Sequence, residues 1–296
     1  MKKTLITIII IGLVLLVVGK IIMIYTENDH SEMSINKEVL ESDKENDSSK
    51  SNEDFGIIYK EYDSVENINL TLGIYSILIQ GDDTIKNVQI TAKKPIIMVD
   101  GLDIDKLEID YSNGDLTINQ KQDKNKIITN MFNFNDYKGE LLIKIPSNSK
   151  VDVIDIENGV GKIEINNLTL NKLDIGCGTS SVVANNLKMS NCYISGGTGS
   201  VKLHDILTDI IKIDSGTGSA YISGDIMNKA IISTGANSVN LELNSKESDY
   251  NFYIETGLGS ININQNKYKR EASINNKSDR TIKVTAGTGS IDIKTK

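Results

Sequence analysis

One phrase recurs along this chain at nearly equal steps, and few folds can accommodate that. Ile194-Ser-Gly-Gly-Thr-Gly-Ser-Val201 returns as Ile213-Asp-Ser-Gly-Thr-Gly-Ser-Ala220 and Ile232-Ser-Thr-Gly-Ala-Asn-Ser-Val239. Earlier copies are Ile156-Glu-Asn-Gly-Val-Gly-Lys-Ile163 and Ile175-Gly-Cys-Gly-Thr-Ser-Ser-Val182; later ones are Ile254-Glu-Thr-Gly-Leu-Gly-Ser-Ile261 and Val284-Thr-Ala-Gly-Thr-Gly-Ser-Ile291. The aligned glycines are Gly159, Gly178, Gly197, Gly216, Gly235, Gly257 and Gly287, giving steps of 19, 19, 19, 19, 22 and 30. A fixed period near 20 residues marks a repeat architecture.

Between the glycines the aliphatic residues keep one spacing. Ile163, Ile165, Leu168, Leu170, Leu173 and Ile175 are followed a period later by Val182, Ala184, Leu187, Met189, Cys192 and Ile194. Val201, Leu203, Ile206, Thr208, Ile211 and Ile213 come next. Steps of two keep side chains on one face of a strand, and each step of three adds a residue that turns a corner. One corner falls at Asn166-Asn167, Asn185-Asn186, His204-Asp205 and Ser223-Gly224, and the next at Asn171-Lys172, Ser190-Asn191, Asp209-Ile210 and Asn228-Lys229. Asn, Asp and Gly tolerate the left-handed backbone that corners use. The glycine phrase makes the third corner, so its glycines are expected as structural turns with positive φ. The pattern predicts an all-β fold: a parallel β-solenoid (β-helix) of about 19 residues and three short strands per rung. Its rungs stack about 4.8 Å apart. A βαβ crossover does not fit one period, and an antiparallel meander explains alternation but not constant phase.

The regular repeats occupy 151–296. Residues 55–150 alternate apolar and polar side chains, as in Ile68-Asn-Leu-Thr-Leu72, and hold two weaker copies of the phrase, Leu70 to Ile77 and Ile109 to Leu116. They are either the first part of the solenoid or a strand-rich cap on it. Residues 26–54 are polar and acidic and are expected to be a disordered linker. Residues 1–25 read as one transmembrane helix: Lys2 and Lys3 precede an apolar stretch from Leu5 to Ile24, long enough to span a bilayer core of roughly 30 Å. The first Ala is Ala92, so the A-x-A site of a cleaved signal peptide is missing and a signal anchor is expected. The positive-inside rule places Lys2 and Lys3 in the cytoplasm and the rest outside the cell.

Composition narrows the chemistry. A net charge of −8 argues against nucleic acid as a partner. With two cysteines, Cys177 and Cys192, and two separated histidines, His30 and His204, neither a metal nor a cofactor site can be assembled, and both thiols are expected free. The Gly-Thr-Gly-Ser turns lack the Lys-Ser/Thr and following helix of a phosphate loop, the G-x-S-x-G of a nucleophile elbow and the repeated Asp of a calcium solenoid. No catalytic residue is assigned. Asp205, Asp209, Asp214 and Asp225 fall on neighbouring rungs and keep a polysaccharide-cleaving enzyme as a second alternative. Two insertions break the period, Ser245–Asp249 and Asn266–Glu271. The second carries Lys267, Tyr268, Lys269 and Arg270, a basic cluster that offers a loop for an anionic cell-wall polymer. Lys294 and Lys296 are expected to close the last rung, blunt edge pairing and leave the ectodomain monomeric.

The anchor, the strand-rich head and the repeated I-x-x-G-x-G-S-[VI] units resemble the putative-adhesin family of Gram-positive bacteria, which includes LiaG-like proteins and is similar to the head-GIN adhesins. The resemblance implies a β-helical domain outside the cell membrane, acting as an adhesin or envelope scaffold without catalysis. It also implies an alternative, a partner in a cell-envelope stress response.

Overall fold

Val201 pairs in parallel with Val182 on one side and with Ala220 on the other, each 19 residues away, and the phase set by the glycines is the phase of the sheet. The computed structural model describes residues 57–94, 98–99, 102–103, 105–122 and 138–296. The membrane helix expected at 1–25 and the linker at 26–54 lie outside the described residues. Among those described, no helix is long and apolar enough to cross a membrane.

The regular part comprises β9 (Val151–Thr198), β10 (Val201–Thr217), β11 (Ala220–Ala236) and β12 (Val239–Leu243). Every aliphatic position of the 2-3-2-3-2 pattern faces inward: Ile163, Ile165, Leu168, Leu170, Leu173 and Ile175 are all buried, as are their counterparts one and two periods on. Thr208, the one polar member, is buried too; its hydroxyl donates to the carbonyls of Ser190 (3.3 Å) and Ile210 (3.1 Å), which offsets its desolvation. The first corner uses left-handed backbone as expected, with φ of 57°, 52° and 53° at Asn167, Asn186 and Asp205. Neighbouring corners are tied by amide ladders, Asn186 Nδ2 donating to Asn167 Oδ1 at 3.0 Å. Each rung has the three short segments expected: along β10, from Val201 to Thr217, the register shifts between Leu203 and Ile206 and again between Thr208 and Ile210, and Asp205 and Asp209 are left out of the ladders to both neighbouring rungs.

The glycine turns work differently from expectation. Positive φ belongs to the second glycine of the phrase, 146° at Gly161 and 138° at Gly199, or to Asn237 at 93°. The aligned glycine is required by close approach. A Cβ on Gly197 would lie 2.7 Å from the carbonyl oxygen of Gly178, and one on Gly216 would lie 2.7 Å from that of Gly197. The same contact runs from Gly73 through to Gly257, so the corner is a glycine ladder.

Residues 57–146 supply both rungs and caps, in β1 (Ile57–Tyr62), β2 (Asn67–Asp82), β3 (Val88–Lys93), β6 (Asp105–Ser112), β7 (Asp115–Gln122) and β8 (Gly139–Pro146). A separate antiparallel pair joins β4 (Met98–Val99) to β5 (Leu102–Asp103). Strand β2 stacks on the first rung of β9, Leu70 against Ile156 and Ile77 against Ile163, so the weak copy at Leu70–Ile77 is a true rung. The copy at Ile109–Leu116 is not. It is the hairpin between β6 and β7, turned by Asn113 and Gly114 with φ of 52° and 88°, the two-positive-φ turn that Asn-Gly favours. β7 and β8 lie parallel to β2 on its outer side, and β6, β3 and then β1 close that end in antiparallel fashion.

At the other end are β13 (Asn251–Leu258), β14 (Ile261–Ile263), β15 (Asn266–Tyr268), β16 (Glu271–Ile274), β17 (Thr281–Thr288) and β18 (Ile291–Thr295). Here spatial order departs from sequence order. β17 lies between β11 and β13, and β18 between β12 and β14. The rung of Gly287 thus sits inside the rung of Gly257. Lys294 and Lys296 therefore do not close the array; β15 and β16 do, each antiparallel to the outermost rung. The buried Asn251 directs the return: its amide donates to the Ser278 carbonyl at 2.6 Å, and its carbonyl oxygen accepts the Asn276 N–H at 2.9 Å. One apolar core runs unbroken from Val65 to Ile293.

Candidate functional site

A filled interior leaves the outer columns to carry chemistry. Because every rung repeats one phase, outward residues align across the strands. One column reads Val183, Lys202, Tyr221, Asn240, Asp292, Asn262 and Lys267. Beside it Ser223, Glu242 and Lys294 pair in turn, with His204 at the preceding corner. The Tyr221 hydroxyl donates to Glu242 Oε2 at 2.7 Å, and Lys294 Nζ donates to Glu242 Oε1 at 3.1 Å. The His204 and Tyr221 rings lie 4.9 Å apart, tilted by 38°. Asn262 donates to Asp292.

These bonds set the local electrostatics. The hydrogen bond from Tyr221, then the one from Lys294, holds the Glu242 carboxyl below the usual carboxylate range. Glu242 in turn raises the Tyr221 phenol and the Lys294 ammonium. Because the folded Glu242 is depressed, its contribution to stability is present above the unfolded carboxyl's titration and is lost as pH falls through the folded value. Carboxyl NMR titration is expected to find Glu242 ionising below an ordinary glutamate, and Tyr221→Phe is expected to move it upward. An unmoved midpoint would mean that the bond does not persist in water.

The basic cluster does not form one patch. Lys267 ends the Tyr221 column, opposite Asn262. Tyr268 packs against the core. Beyond Lys269, the Arg270 carbonyl accepts the Thr256 N–H at 2.9 Å, and its side chain lines a recess of about 440 Å³ with Glu255 and Glu271. Those two carboxylates stand directly opposite each other on β13 and β16, which sets two negative charges beside the arginine. What reads as a protruding loop is the cap of the sheet.

A second recess, of about 450 Å³, opens where Gly159, Gly176 and Gly178 leave the corner bare, with Glu157, Asp174 and Cys177 on its lining. Both cysteines are free thiols. Burial, then the Glu157 charge, pushes the Cys177 thiol up, and full burial pushes Cys192 up to about 12. Alkylation followed by mass spectrometry, at about pH 8, is expected to modify Cys177 slowly and leave Cys192 untouched, with Glu157→Gln speeding the reaction. Equal labelling of both would mean that the rungs open. Asp205, Asp209, Asp214 and Asp225 are spread over the rung: Asp205 turns one corner, Asp209 is exposed at the next, Asp214 pairs with Ser195 and Ser233, and Asp225 accepts a bond from Ser245 at 2.9 Å. Among the described residues no group of three or more His, Cys, Asp or Glu is placed to hold a metal ion.

The Toastrack DUF4097 family model matches residues 102–296, more than half of the chain. The chain belongs to the Toastrack DUF4097 family. No curated protein matches this Toastrack chain. Among solved structures it is similar to a "putative cell adhesion protein" from Clostridium sporogenes, at 18% identity over 81% of this chain and 98% of that one, with a TM-score of 0.37. It is also similar to a "putative adhesin" from Bacteroides fragilis, at 14% identity over 81% and 97%, with a TM-score of 0.41. A "putative lipid binding protein" from Parabacteroides distasonis has 12% identity over 80% and 96%, with a TM-score of 0.32.

Sequence reasoning did not find the Tyr221 face of this Toastrack domain. Part of the signal was there, since Tyr221 lies one period after Lys202 and Glu242 two periods after His204. Lys294 was hidden by the exchanged order of the last two rungs.

Proposed function

We propose that this chain is a membrane-anchored, extracellular surface protein whose Toastrack domain acts as an adhesin or envelope scaffold by binding along its outer faces, without catalysis. The observation that carries the reading is the interior. A single apolar core fills the described rungs, so ligands meet the outer columns and recesses such as the two above. Rigid columns of hydrogen-bonding side chains suit repetitive polymers of the envelope or of another surface. The apolar stretch from Leu5 to Ile24 would anchor the chain in a bilayer, with the acidic linker at 26–54 as a tether.

The test is retention. Cells displaying the full chain are expected to be held on surfaces coated with purified envelope polymers, compared with cells displaying only residues 1–54. Equal retention of the two would overturn the reading. Replacing Lys267, Lys269 and Arg270 by Ala in the same assay tests the cap as an anionic-polymer contact; the flanking Glu255 and Glu271 lead us to expect a loss smaller than twofold.

A further inference from the structure

We propose that the face formed by Tyr221, His204, Glu242, Asn240, Asp292 and Asn262 binds a linear, uncharged glycan laid across the rungs. The inference rests on the surface-binding reading above and supplies its ligand class.

The charge balance identifies the class. Across the two columns three lysines, Lys202, Lys267 and Lys294, stand against Glu242 and Asp292, and Lys294 is already engaged by Glu242. The centre of the face carries amides, hydroxyls, two rings and two carboxylates. With Glu242 neutralised by Lys294 and Asp292 at the centre, the columns carry too little positive charge to hold a polyanion. The face would equally give a second copy of this chain little to bury: among the described residues the exposed large apolar side chains, Tyr59, Tyr111, Leu207, Met227, Tyr253 and Leu258, lie on other columns. An uncharged polyhydroxyl ligand matches both conditions. It needs acceptors and donors in register and a ring to pack its C–H face against.

Preorganisation supplies the second argument. Tyr221 is held at its hydroxyl by Glu242, and Glu242 is held in turn by Lys294, while His204 leans on the Tyr221 ring. A ligand meeting this platform does not have to freeze these rotamers itself. Spacing supplies the third. Polar groups recur at every rung, Asn240 then Asp292 then Asn262, at about 4.8 Å, which is close to the length of one hexose ring. A chain of sugars running along the column meets the same kind of group at each residue. Alongside runs a serine column, where Ser260 Oγ and Ser290 Oγ lie 3.2 Å apart.

The experiment uses the full-length chain in lipid nanodiscs, titrated calorimetrically with soluble hexasaccharides of β-linked glucose, β-linked N-acetylglucosamine and α-linked mannose. At least one is expected to bind, with affinity unchanged in about 0.5 M salt, since uncharged ligands are not screened. Tyr221→Ala is expected to weaken that binding about tenfold or more, as for a central anchor. Tyr221→Phe, which keeps the ring and frees Glu242, should weaken it less. Hydrogen exchange over 201–243 checks that each variant is folded; should Tyr221→Ala unfold, Asn240→Ala and Asp292→Asn carry the test. No binding of any hexasaccharide, equal binding by a folded Tyr221→Ala, or binding of polyphosphate alone overturns the proposal. In those cases cell retention that survives Tyr221→Ala shows that the surface-binding reading stands without this site.

Discussion

Alanine at Gly235 is expected to destabilise the domain by about 2 kcal/mol, a fall in Tm of about 5 °C, although the position is exposed. A single methyl there would lie 2.4 Å from the carbonyl oxygen of Gly216. That oxygen belongs to backbone fixed by the parallel ladder on both sides, so it cannot swing aside as a side-chain tip would. The next rung adds to the effect, because the Gly287 Cα in turn presses on the Gly235 carbonyl: a Cβ at Gly287 would meet it at 2.4 Å. Pushing one rung out therefore stretches hydrogen bonds in two. Ala236→Gly, one residue away and outside the ladder, is the control and should cost less than half as much. Thermal unfolding of the two variants decides the matter. Equal, small shifts would mean that the ladder yields.

Deleting 281–296 is expected to release far more than the residues removed. β17 and β18 are the only described strands between the β11–β12 rung and the β13–β14 rung. Without them Phe252, Ile254, Ile261 and Ile263 lose one neighbouring rung, and Arg280, whose carbonyl accepts the Asn251 N–H at 2.9 Å, becomes the unanchored end of the chain. The antiparallel β15 and β16 hold the same rung from outside and cannot support it alone, since a small isolated sheet is marginal in water. Hydrogen exchange should show 251–274 unprotected in the shortened chain while 153–217 keeps its protection. Native protection of 251–263 would mean that β13 and β14 can pair directly with β11 and β12.

How much of this was legible in the sequence depends on the range of the interaction. The buried set from Ile163 to Ile213, the Asn167 and Asn186 corners and the solenoid register follow from period and phase, because each residue's neighbours sit one period away. The three segments per rung follow as well, because the extra residue at each corner drops out of the pairing. The role of the aligned glycines was hidden. Positive φ and close approach both demand glycine, and only the neighbouring carbonyl tells them apart. The hairpin at Asn113-Gly114 carries an ordinary local signal that the repeat frame overrode. Rung order at the ends lies beyond periodicity altogether: steps of 22 and 30 reveal that residues are inserted, not where the chain re-enters. The Tyr221 face inherits that limit, because Lys294 meets Glu242 across 52 residues.

The exchanged rungs also bear on how the protein is made. Rungs from 153 to 236 can be laid down in the order of synthesis, each closing on the one before it with contacts a single period apart, which favours rapid assembly. That order fails at the β12 edge. The outer rung is synthesised first yet, beyond the antiparallel β15 and β16, gains its parallel partner only when residues 281–295 arrive and slide in beneath it. During that interval the newest parallel edge is bare, with Val239 and Leu241 beside it, and unpaired edges of this kind invite aggregation. A chaperone that shields the nascent chain has its critical moment here, after residue 243 has emerged and before residue 281.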